Sequence, residues 1–174
     1  MIKKKEKINK IFLIPAVVFC CAVLLFPFSV SLFRKPNVRT VNNSVNTVVK
    51  MPTTRLVINK NYFLVEIAST DEEKILGLGG RKSLDDKLNV DTGMLFVFSE
   101  PSIEGFWMKD MNFPIDIVWM DQNKKITGYV EGAKPEDFPK IYESPGEVSY
   151  VLEISKGQVK SKNIKIGDTA NFAF

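Results

Sequence analysis

The 174-residue chain predicts an α+β domain that is mainly β: about eight short strands and one or two short helices in a compact, barrel-like arrangement, preceded by a single transmembrane helix. Three observations carry this expectation. An uncharged run of 23 residues, Ile11 to Phe33, stands near the N-terminus. From Thr54 onward, short runs of Val, Ile, Leu and aromatic residues alternate with Gly, Pro, Asn and Asp clusters, the punctuation of strands and turns. Only Thr70 to Gly80 carries strong helix start and stop signals.

Residues 1–10 form a basic tail and residues 11–33 the membrane anchor. At about 1.5 Å per residue the anchor crosses a hydrocarbon core of roughly 30 Å, and Pro15 and Pro27 are tolerated in such helices. Lys3, Lys4, Lys5, Lys7 and Lys10 outnumber Arg34, Lys35 and Arg39 behind the run. The N-terminus is therefore expected in the cytoplasm and the C-terminal domain outside the cytoplasmic membrane. A cleaved secretory signal would need a shorter apolar region and a small-x-small site, which Ser29-Val30-Ser31 meets poorly, so length favours an uncleaved signal-anchor. A lipid on Cys20 is disfavoured by Phe19 before it and by its position within the run. Residues 34–52 read as a polar linker and residues 53–174 as the folded domain, with no internal repeat.

Within the domain, Arg55–Ile58 and Phe63–Ala68 flank Asn59-Lys60-Asn61 as a hairpin. Thr70 and Glu73 have the spacing of a capping box; Ile75, Leu76 and Leu78 supply an apolar side, and Gly77, Gly79 and Gly80 end the helix. Gly93–Phe98 is apolar throughout, as a strand buried on both faces would be. Ser99–Ser102 reads as a turn. Phe106–Met108 and Ile115–Met120 are strands about a polar crossing that ends at Pro114. Gln122-Asn123-Lys124 turns the chain into Ile126–Val130, residues 131–147 form a long surface loop, and Val148–Ile154 alternates as a strand. A short helix over Lys156–Lys162 and a final strand over Thr169–Ala173 close the chain.

The charge is divided unevenly. Of 24 basic and 20 acidic residues, nine and one lie in residues 1–50, leaving 15 and 19 in the remainder. The body is mildly acidic, so a nucleic-acid partner is not expected. There is no histidine, and both cysteines, Cys20 and Cys21, belong to the anchor. The body therefore builds no Cys/His zinc site, disulfide, Ser-His-Asp triad or thiol nucleophile. No cofactor is expected, and a metal would have to be a hard ion held by oxygens.

Gly77-Leu78-Gly79-Gly80-Arg81, Gly93–Phe98, Phe106-Trp107-Met108-Lys109, Pro114-Ile115-Asp116-Ile117, Tyr150-Val151-Leu152-Glu153 and Ile166-Gly167-Asp168 follow one another in this order. In order and spacing, from about Leu56 to Phe174, the chain resembles the DUF192 family of unknown function. The resemblance implies a small, mainly β domain, often secreted or membrane-anchored, and brings no reaction with it. Two departures stand out: Gly79 where the family often has Met, and Asp110-Met111 where it often has Asn-Thr.

Six residues are candidates for a ligand site: Arg81, Trp107, Lys109, Asp110, Asp116 and Glu153. Trp107, like Trp119, Phe106 and Met108, serves either as core or, at a pocket mouth, as a stacking platform. Lys109 and Asp110 fit a solvated turn as readily as a site. Asp116 begins an apolar strand and needs a donor; it is either tied into an ion pair or turn, or is a tuned acid, base or metal ligand. Arg81 either pairs structurally or binds an anion, and Glu153 on an apolar strand invites the same alternatives. The leading expectation is a membrane-tethered module that binds a small molecule, glycan or peptide. The alternative is a carboxylate-dependent hydrolase of envelope glycans, with Asp110 and Asp116 dividing acid and base work.

Overall fold

The computed structural model describes residues 50–84 and 90–174. In β1 (Thr53–Ile58) and β2 (Asn61–Ala68), Leu56, Ile58, Phe63 and Val65 alternate onto one side and are fully buried. Asn59 and Lys60 both take positive φ, 50° and 68°, the geometry that a two-residue hairpin turn needs, and β1 pairs β2 antiparallel. Next comes α1 (Asp71–Leu76), which opens on the expected capping box. Glu73 N–H donates to the Thr70 hydroxyl, and the Glu73 carboxylate accepts from the N–H groups of Ser69 and Thr70. Gly77, at φ 48°, ends the helix. Of the apolar side Ile75, Leu76 and Leu78, only Leu78 is buried: no residue of α1 itself is, and Ile75 is 86% exposed. Six residues make fewer than two turns, and the first to reach the core is Leu78, beyond the helix.

After α1 come β3 (Asp91–Ser102), β4 (Gly105–Trp107), β5 (Ile115–Met120), β6 (Ile126–Ala133), β7 (Ile141–Glu143), β8 (Val148–Ser155) and α2 (Gln158–Ser161). β3 runs parallel to β2, so a crossover through α1 joins them. Six strands form one sheet in the order β1-β2-β3-β8-β5-β6, and β4 pairs with β7 separately. One face of the sheet packs Met94, Phe96, Ile117, Trp119 and Val151 against Leu78, Leu84, Met108 and Tyr142. The other packs Phe63, Leu95, Val118, Leu152 and Ile154 against Val159, Ile164 and Phe172. Every residue of β5 is buried, as expected of a strand covered on both sides.

The barrel-like closure is corrected. The edge strands β1 and β6 do not pair with each other, and the sheet is open. Closure is one way for a sheet to hide its faces; here separate layers cover both, so the sheet stays open. The expected final strand over Thr169–Ala173 makes only isolated bridges, Lys125 to Thr169 and Val57 to Asn171, which fasten it to the β5–β6 turn and to β1. The turn expected at Ser99–Ser102 is instead the irregular end of β3, where Pro101 is exposed. The loop expected over 131–147 holds the end of β6, a 3-10 turn at Pro135–Asp137 and β7. The anchor expected over 11–33, and the linker before residue 50, lie outside the described residues. Among the described residues no helix is long and apolar enough to cross a membrane.

Candidate functional site

A row of residues crosses the centre of the sheet in register: Glu66 in β2, Met94 in β3, Glu153 in β8 and Ile117 in β5. In-register neighbours project on one face, so two carboxylates flank Met94 on the face covered by Leu78, Met108 and Phe106. Arg81 reaches Glu66 with both arms of its guanidinium, Nη1 to Oε1 at 2.5 Å and Nη2 to Oε2 at 2.8 Å. Two bonds hold its backbone against the turn after β4. The Asn112 side-chain amide donates to the Arg81 carbonyl at 2.9 Å, and Gly80 N–H donates to the Asp110 carbonyl at 2.8 Å. The Glu66 hydrogen bonds raise the Arg81 pKa above its ordinary value, against the effect of burial.

Glu153 is treated differently. It is 5% exposed, and no described residue donates a hydrogen bond to its carboxyl. Arg81 is close enough to favour its ionised form, but burial wins and pushes its pKa up to about 8. At neutral pH the carboxyl is mostly protonated, able to donate as well as accept a hydrogen bond.

Glu153 lies on the floor of an open groove of about 1230 Å³. Phe96 and Phe98 share that floor; α1 with Gly77–Gly80 forms one wall, and β4 with the turn to Met111 the other. Phe106 packs edge-on to Phe96 at 4.9 Å, fixing the second wall. Trp107, 52% exposed, meets Phe138 in an edge-type contact at 5.8 Å between ring centres. Lys74 Nζ lies 5.0 Å over the Phe98 ring and Lys109 Nζ 5.7 Å over Trp107.

Of the six candidates, Trp107, Lys109, Asp110 and Glu153 line this groove. Arg81 lies beside it, its fork occupied by Glu66. Asp116 is elsewhere. It is fully buried on the opposite face, beside Val118 and Met120, and accepts from Gly132 N–H at 2.8 Å and Val159 N–H at 2.9 Å. It therefore fastens α2 and β6 to β5, and cannot share acid and base work with Asp110 across the groove. Trp119 and Met108 are core. Glu66 is not among the six candidates, although the signal that singles out Glu153, a carboxylate inside an apolar strand, applies equally to Phe63–Ala68. Among the described residues no three acids cluster as a metal site would require.

No curated protein matches the chain. Among solved structures, it is similar to a candidate transcription regulator from Sinorhizobium meliloti 1021, with 27% identity and a TM-score of 0.64 over 71% of this chain and 96% of that one. It is also similar to a protein of unknown function from Novosphingobium aromaticivorans DSM 12444, with 26% identity and a TM-score of 0.65 over 72% and 89%. The model of the family DUF192, described as uncharacterized ACR, matches residues 54–172, the span that contains every element from β1 to α2 apart from the first residue of β1. The chain belongs to the DUF192 family.

Proposed function

We propose that the domain is a binding module, held outside the cytoplasmic membrane by residues 11–33, and that its groove takes a small or extended ligand with an apolar body. The observation that carries this reading is Glu153, a buried carboxyl unmatched by any described donor at the floor of an open groove. Burying such a group costs free energy that a purely structural face would avoid, and a ligand group in the groove would supply its partner. Ile75, Leu76 and Trp107 project apolar surface around the groove, which a monomeric surface does not need for stability. The anchor reading rests on the uncharged run of residues 11–33 and on the lysines ahead of it. The regulator description of the Sinorhizobium protein is not carried over, since 15 basic against 19 acidic residues give this body no basic surplus for nucleic acid.

The test is a thermal-shift screen of the full chain in nonionic detergent against linear aliphatic, peptide and glycan compounds. Ligands of the groove raise the melting temperature of the native chain and lose that effect in Trp107→Ala and Glu153→Gln. A screen in which every stabilising compound acts equally on both variants removes the groove from consideration.

A further inference from the structure

We propose that the groove selects a cationic ligand, an ammonium group at the end of an alkyl stem, with the ammonium seated at Glu153. This rests on the groove being a binding site and names what it takes.

The first support is the charge balance on the floor. Arg81 and Glu66 pair through both arms of the guanidinium, so the Arg81 fork is not free for an anion, while its charge still favours the ionised form of Glu153. Glu153 next to them has no described donor and is 95% withdrawn from solvent. Ionising it alone would leave one uncompensated buried negative charge, and burial resists this. One cation from outside completes the set. An anion or a neutral apolar group completes nothing.

The second support is the surround. Phe96, Phe98, Phe106 and Trp107 offer ring faces and edges along the groove, and ring faces attract ammonium groups. The protein's own Lys74 and Lys109 lie over Phe98 and Trp107, a contact that a ligand ammonium would take over by displacing them. The stem of such a ligand is apolar, matching Leu76 and Met111 in the walls. Asp71, Glu72, Glu104 and Asp110 border the groove against Lys74 and Lys109, so its charged rim is predominantly acidic.

Such an ammonium could come from a lysine side chain of a peptide or from a free diamine, and the same experiment distinguishes them. Hexylamine, hexanol and hexanoate, matched in length, are titrated into the full chain in nonionic detergent at about pH 7 and followed by tryptophan fluorescence and calorimetry. Hexylamine is expected to bind about 30-fold or more tightly than hexanol, with Glu153→Gln abolishing that advantage and leaving hexanol unchanged. Calorimetry in buffers of different ionisation enthalpy is expected to show up to one proton released per bound amine, as Glu153 gives up its proton to the buffer and its carboxylate pairs with the already protonated ammonium. This readout needs no variant. Cadaverine and Nα-acetyl-lysine amide then form the last arms, and the tighter of the two names the source. If hexanol or hexanoate binds as well as hexylamine, the cation inference is wrong while the groove remains a site. If none of the three binds, the groove reading itself fails.

Discussion

Replacing Glu153 by Gln should change how the stability of the domain depends on pH, and the size follows from burial. An ordinary glutamate has a pKa near 4.5, and Glu153 is raised to about 8 because its charged form is desolvated. Between these values the native state holds a proton that the unfolded state has lost. Stability therefore falls as pH rises across that window and levels off above it. At about 1.4 kcal/mol for each pH unit, the full loss is on the order of 5 kcal/mol. Glu153→Gln removes the ionisation and keeps the shape. Below about pH 4.5 the two proteins should agree within about 1 kcal/mol, and above about pH 8 the variant should be more stable by several kcal/mol. Glu73 and Asp137, whose pKa values are lowered by hydrogen bonds from Thr70 and Tyr142 respectively, favour folding above their unfolded pKa values. That contribution is lost as pH falls, but equally in both proteins, so it cancels in the difference. The assay is chemical denaturation of the full chain in nonionic detergent, followed by Trp119 fluorescence in a Trp107→Phe background. A stability difference that does not vary with pH would refute the reasoning.

Two further substitutions probe the frame around the site. Asp116→Ala should destabilise by roughly 2–5 kcal/mol, because Gly132 and Val159 each lose the acceptor for a backbone N–H; calorimetric unfolding at neutral pH measures it, and a loss below about 1 kcal/mol contradicts a structural role. Gly93→Ala should cost at least about 1–3 kcal/mol, since a Cβ there would stand 2.6 Å from the Glu153 carbonyl oxygen and 3.0 Å from Ile154 Cγ2. Because that contact sits where β3 meets β8, hydrogen exchange should accelerate first at Met94 to Phe96 and Val151 to Ile154; uniform acceleration would place the effect elsewhere.

The local features of the fold were legible because each has a local physical cause. The Asn59-Lys60 turn, the Thr70–Glu73 capping box, the Gly77 stop and the strand running from Val148 all follow from near neighbours in sequence. What was not legible depends on partners far along the chain. Whether six strands close or stay open is decided by which layers cover their faces, and those layers come from Leu78 and Met108 on one side and Val159 and Phe172 on the other. The exposed Ile75 and Leu76 carry the same pattern a packed helix would, but a six-residue helix is too short to bury them, and they border the groove instead. Asp116 and Glu153 look alike in sequence, each a carboxylate bordering apolar residues. They differ because Asp116 meets two backbone donors and Glu153 meets none among the described residues. Trp107 reads as core or platform from the sequence alone; in the fold Phe106, its neighbour of opposite strand parity, packs on Phe96 and leaves Trp107 half exposed.

The most direct measurement is the carboxyl carbon shift of Glu153, assigned with Glu153→Gln and followed by NMR across pH in the full chain, with and without hexylamine. The account predicts a midpoint near 8 in the free protein. With saturating hexylamine the midpoint should fall by about two pH units or more, as the ammonium stabilises the ionised form. A midpoint that stays unmoved by the amine, or lies near 4.5 in the free protein, would contradict a buried carboxyl held in reserve for a ligand.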